Sequence, residues 1–91
     1  DIVPEDPDIE KREMRLSQIV IDKRSPFVGK TLPETGIRDR FNCMVVGREE
    51  GKENLSMVST SYKLHLGDIL WIVGEEEALA NLQEANNGNN K

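Results

Sequence analysis

Five consecutive apolar residues, Ile69-Leu70-Trp71-Ile72-Val73, stand between Asp68 and Gly74. β-branched and aromatic side chains dominate the run, which suits a pleated strand better than a helix. It is too apolar to face water on either side. It therefore predicts a strand covered on both faces, by helices or by a partner chain, with Trp71 in the core. The run is far too short to cross a bilayer. In a chain of 91 residues with 36% hydrophobic content, one such strand must organise a single small domain.

The remaining elements arrange themselves around it. Met14 to Lys23 reads as a first strand, closed by Ser25-Pro26. Phe27-Val28-Gly29-Lys30 is an extended link with a turn at Gly29. Thr31-Leu32-Pro33-Glu34 resembles a helix start, with a capping threonine, a first-turn proline and a glutamate at capping-box spacing. Gly36 interrupts it, and Ile37 to Phe41 reads as one more helical turn. Cys43 to Gly47 is a second strand, apolar on both faces, and Glu49 to Lys52 a hairpin turn. Leu55 to Val58 is a short third strand, and Ile69 to Val73 the fourth. Gly67 and Asp68 form the turn before it, glycine for its backbone freedom and aspartate as a side-chain cap. Gly74 is read as the pivot into a helix from Glu75 to about Ala85, whose buried stripe is Ala78, Leu79, Leu82 and Ala85. The order predicts an α+β domain: a mainly antiparallel sheet of about four strands, a short helical crossover, a meander and a C-terminal helix.

Charge divides the chain into three parts. Residues 1–13 hold six acids against Lys11 and Arg12 and contain Pro4 and Pro7, which predicts an acidic linker. Residues 14–85 form the domain, and residues 86–91 a polar tail. The formal net charge of -5 argues against a nucleic-acid surface. Yet between positions 23 and 48 six bases face only Glu34 and Asp39. Arginines on a link beside apolar residues suit a small anion, and they equally suit a solvated face. A core of about 70 residues supplies only about 3–5 kcal/mol, so pairing with another copy or domain would help. The absence of an initial methionine suggests that the segment is cut from something larger.

Catalysis finds little material. His65, the only histidine, alternates outward between Leu64 and Leu66. Cys43, the only cysteine, reads as a small buried hydrophobe and excludes an internal disulfide or a multi-cysteine metal site. The glutamate clusters 49–53 and 75–77 lack calcium-loop spacing, and Arg24 stands where a P-loop needs its first glycine. The expectation is a non-enzyme with no metal and no cofactor of its own.

Ser25-Pro26-Phe27-Val28-Gly29-Lys30-Thr31-Leu32 resembles the opening of the TrkA C-terminal (RCK C-terminal) domain family. Ile37-Arg38-Asp39-Arg40-Phe41, Val45-Val46-Gly47-Arg48, and Leu66-Gly67-Asp68-Ile69 through Gly74 with the helix after it resemble its later blocks, in order, over about residues 16 to 83. The resemblance implies a cytosolic regulatory domain of a membrane cation transporter, of potassium or sodium/proton antiport type. It would sit at the cytoplasmic face of the cell membrane without inserting itself, beside a membrane-embedded part of the same parent chain. It also implies a homodimer that senses a small anionic or nucleotide ligand, in some members cyclic di-AMP. Carried over by position, the ligand contacts are Ile37, Arg38 and Met44, with Arg40 beside them. Where those members place asparagine this chain has Met44, which cannot hydrogen-bond a base or ribose, while Arg38 keeps its charge for a phosphate. Two other arrangements fit the same residues: a purely structural dimerisation module, and a soluble potassium-uptake subunit with a separate upstream dinucleotide-binding domain.

Overall fold

The computed structural model describes residues 13–52 and 54–89. Apart from Glu13, the acidic linker expected over 1–13 lies outside the described residues, as do Asn90 and Lys91 of the tail. Six elements follow one another: β1 (Met14–Val20), α1 (Leu32–Thr35), β2 (Met44–Glu49), β3 (Leu55–Ser56), β4 (Ile69–Glu75) and α2 (Glu76–Asn86). The strands form one antiparallel sheet in the order β1-β4-β2-β3. The result is an α+β domain with a short helix in the β1–β2 crossover and a C-terminal helix on the sheet.

The expected meander of the last three strands does not form. β4 inserts between β1 and β2, because the most apolar strand gains most from two hydrogen-bonded neighbours and the central position. Its side chains alternate: Leu70 and Ile72 are fully buried, while Ile69, Trp71 and Val73 are half-buried. α2 packs on β1 and β4 and brings Leu82 and Ala85 into the same core as Ile19, Ile21, Phe27, Ile37 and Leu64. Each such leucine, isoleucine or phenylalanine side chain stabilises the fold by about 1.5–3 kcal/mol. Coverage of β4 is thus one-sided, and Trp71 is not core. It lies on the face away from α2, where its indole Nε1 donates to Glu49 Oε2 at 2.9 Å.

Local chemistry sets the boundaries. β1 stops at Val20, three residues before the expected Lys23, because Ile21 leaves the ladder: its N–H donates to the Asp68 carbonyl at 2.8 Å and its carbonyl accepts from Gly67 N–H at 2.6 Å. Thr31 N–H donates to Glu34 Oε1 at 2.9 Å, one half of a capping box, and this bond holds the Glu34 carboxyl below its ordinary range. The Ile37–Phe41 stretch is a series of turns, with Arg40 N–H on the Gly36 carbonyl and Asn42 N–H on that of Arg38. β3 ends at Ser56, not Val58. Its next partner would be Gly47, where a bulge between Val45 and Gly47 distorts β2. Gly29 and Gly67 have φ of 81° and 94°, backbone that favours glycine.

Gly74 is not a turn. It lies extended within β4, and a Cβ there would meet Cys43 Sγ at 2.9 Å and Leu79 Cδ2 at 3.4 Å. Glycine is required at that point because Cys43, just before β2, and Leu79 of α2 close over it. Asn86, assigned from sequence to the polar tail, is the last residue of α2 and 1% exposed. Its Nδ2 donates to the Val20 carbonyl at 2.9 Å, and its Oδ1 accepts from Ser25 Oγ at 2.7 Å. Ser25 Oγ in turn accepts from Phe27 N–H at 3.1 Å. The chain so ties the end of β1, the loop after it and the end of α2 in one buried knot.

Asn86→Ala leaves the Val20 carbonyl and the Ser25 hydroxyl buried without partners. The expected loss is about 2–3 kcal/mol, or a Tm lower by about 10 °C or more in thermal unfolding. Gly74→Ala forces the Cys43 sulfur aside and is expected to cost about 1–3 kcal/mol in urea denaturation. Adding Cys43→Ala to it should give a double variant less destabilised than the two single losses together.

Candidate functional site

The β1–β2 crossover carries the basic segment to one side of the sheet, where it walls a cleft of about 470 Å³. Leu32 and Pro33 come from α1, Ile37, Arg38 and Asp39 from the turns that follow, Cys43 from just before β2, Met44 and Val45 from its start, and Thr60 from the loop before β4. Ile37 is 1% exposed and anchors the turns, so Arg38 and Asp39 stand exposed at the rim. The volume falls in the range of small-molecule sites, about 300–1,000 Å³. An apolar floor with one cation at the lip suits a ligand that combines a flat or apolar body with a negative charge.

The structure thus brings Ile37, Arg38 and Met44 together on one cleft. Among the described residues the Arg38 guanidinium makes no ion pair, so its charge is available to a ligand. Met44 is exposed and offers a thioether where a hydrogen-bonding group would contribute more. Arg40 is elsewhere: its guanidinium lies 5.1 Å from the centroid of the Phe41 ring, a cation–π contact. Cys43 lines the cleft as packing. Burial pushes its thiol up, away from the reactive thiolate, and its Sγ donates weakly to the Phe41 carbonyl at 3.4 Å. Leu32, Pro33, Asp39, Val45 and Thr60 complete the lining, and the sequence does not mark them as site residues. Thr60 had no local signal, because it arrives from the loop between β3 and β4.

A second polar cluster lies around Asp68. Its Oδ2 accepts from the Tyr62 hydroxyl at 2.9 Å and from His65 N–H at 2.8 Å. Arg48 faces its Oδ1 at 3.8 Å and stacks 4.7 Å from the centroid of the Tyr62 ring. His65 Nδ1 meets the Tyr62 hydroxyl at 3.1 Å. Burial first, and the bond to Asp68 second, push the Tyr62 phenol up, so it remains a donor. With its oxygens occupied in this way, Asp68 fastens the loop before β4 to the sheet. His65 is exposed beside it.

Comparison with known proteins places this architecture. A transporter of Synechocystis sp., described as uncharacterized transporter sll0640, is 28% identical over 75 residues, covering 82% of this chain and 12% of that protein. The GsuK RCK domain superposes with a TM-score of 0.70 at 26% identity, over 80% of this chain and 16% of the other. The GsuK channel bound to NAD superposes with a TM-score of 0.69 at 27% identity, over 82% and 13%. The chain therefore spans a small part of each relative's length. The family model of the TrkA-C domain matches residues 16–86, nearly all of the described fold from β1 to the last residue of α2. With its four-stranded sheet, its crossover and its C-terminal helix accounted for by that match, the chain belongs to the TrkA-C domain family.

Proposed function

We propose that this chain is a non-catalytic regulatory domain of a membrane cation transporter, at the cytoplasmic face of the membrane, that binds a small anionic or nucleotide ligand through Arg38. The observation that carries the reading is the cleft itself: an apolar cavity of about 470 Å³ with a guanidinium at its rim. Membership of the TrkA-C family, and relatives among transporters and channel RCK domains, support the regulatory assignment. Among the described residues no helix is long and apolar enough to cross a membrane, so spanning segments would belong to other parts of a parent chain. Ile37 and Met44 supply the walls of the cleft and Arg38 the charge. The domain acts as a pair of copies, an arrangement supported by the small core such a chain can build.

Thermal shift measurements with cyclic di-AMP, NAD, ATP and inorganic phosphate test the ligand. A true ligand at about 100 times its Kd adds about 2.7 kcal/mol, which raises Tm by about 10 °C or more. Arg38→Ala should abolish that shift while Arg40→Ala retains it. An unchanged shift in Arg38→Ala, or no shift with any of the four, overturns the reading in favour of a purely structural module. Met44→Asn supplies a hydrogen-bonding amide at the cleft and should tighten cyclic di-AMP binding several-fold by calorimetry.

A further inference from the structure

The loop between β3 and β4 carries three adjacent hydroxyls, Ser59, Thr60 and Ser61. Tyr62 N–H donates to the Ser59 carbonyl at 3.1 Å, which closes a turn with Thr60 and Ser61 at its corner. Two of the hydroxyls are taken. Ser59 Oγ accepts from Ser61 N–H at 3.1 Å and shares a hydrogen bond with Ser61 Oγ at 2.9 Å. Thr60 is exposed, and among the described residues its hydroxyl bonds to nothing. The turn is anchored by Tyr62, whose hydroxyl donates to Asp68 at 2.9 Å and whose ring lies against the Arg48 guanidinium. Thr60 is thereby held in the lining of the cleft.

Arg38 stands on the same lining, with no ion pair among the described residues. A free hydroxyl and a free guanidinium thus share one cleft of about 470 Å³, roughly 10 Å across were it round. We infer that Thr60 is a phosphorylation site whose phosphoryl group occupies the anion position of the cleft, against Arg38. The inference rests on the ligand reading above and gives that site its regulation. Ser59 and Ser61, already bonded to each other, leave Thr60 as the accessible acceptor of the turn.

A serine/threonine protein kinase with ATP supplies the group. Thr60 Oγ1 attacks the terminal phosphorus, the new O–P bond forms as the bond to ADP breaks, and the hydroxyl proton passes to the kinase's base. The product carries a charge of about -1.5 to -2 and three acceptor oxygens, which a guanidinium can take in bidentate fashion. Asp39, the other charged residue of the lining, opposes the phosphate and limits the gain. A phosphate on residue 60 needs no capture from solution. Its tether gives an effective concentration on the order of millimolar, so it competes with any free anion for Arg38.

Cys43, the only cysteine, offers a junction for ligating the chain from two pieces. The first piece carries Arg38 and Asp39, and the second, synthetic from Cys43 onward, carries threonine or phosphothreonine at position 60. The joined 91-residue chains are compared by thermal unfolding and phosphorus NMR. At about pH 7.5 phosphorylation is expected to raise Tm by about 5 °C. Arg38→Ala should remove that gain and Asp39→Asn enlarge it. With Arg38 present, the second proton of the phosphate should be about tenfold more acidic than in Arg38→Ala. The gain, full above about pH 6, is then lost as the pH falls through about 5. Any Tm shift that cyclic di-AMP or inorganic phosphate gives the threonine chain should vanish in the phosphothreonine chain. Mass spectrometry of the parent protein recovered from its own cells should find phosphate on Thr60. A Tm gain and a phosphate titration unchanged by Arg38→Ala overturn the inference, and so does a parent protein phosphorylated only on Ser59 or Ser61, or not at all. A phosphate held by Arg38 in a chain whose unmodified form binds neither probe supports the contact and overturns the ligand reading alone.

Discussion

Everything in this domain hangs on the contact between β4 and α2. Leu70 and Ile72 point from the central strand into the core, and Leu82 and Ala85 of the helix close over them. Because Glu75 is the last residue of β4 and Glu76 the first of α2, the helix must fold straight back across the sheet. Side chains crowd the end of the strand there, with Cys43 Sγ and Leu79 Cδ2 directly over Gly74. Gly74 and Cys43 meet at its tightest point, where no Cβ fits on residue 74. The far end of the helix is held differently, by the buried Asn86 amide on Val20 and Ser25. An apolar contact thus supplies the stability and a polar knot fixes the register, since a misplaced helix would leave that amide unpaired.

The same contact positions the cleft. With α2 occupying one face over β1 and β4, the crossover from β1 to β2 must run beside it. Ile37 is then driven into the core next to the start of β2. Arg38 and Asp39, the two residues after Ile37, have nowhere to go but the rim. The arginine's charge is therefore placed by the burial of its apolar neighbour. Cys43 serves both structures at once, lining the cleft on one side and filling the space over Gly74 on the other.

Much of this was legible in the sequence, for identifiable reasons. The identity of β4 followed from Ile69–Val73, and the start of α1 from the threonine, proline and glutamate spaced as a cap requires. Of the residues that the family resemblance pointed to, Ile37, Arg38 and Met44 share one cleft, whereas Arg40 turns onto the Phe41 ring. Strand ends were less legible. β1 stops early because Ile21 bonds to a loop 46 and 47 residues further along the chain, at Gly67 and Asp68, and β3 is cut short by a bulge in its neighbour. Neither cause is local. Asn86 was misjudged because a run of asparagines has the composition of a tail, whatever the first of them touches.

The sequence by itself determined which elements form and where the charged and apolar segments fall among them, because periodicity, caps and side-chain type are written in adjacent residues. Only the tertiary structure decided that β4 stands in the centre, that Gly74 serves a close approach and not a turn, and that Trp71 lies on a bare face. Those outcomes depend on which distant segments meet, and hydrophobicity says that a residue seeks cover without saying what provides it. The run Ile69–Val73 demanded cover on two sides. The folded chain supplies one of them.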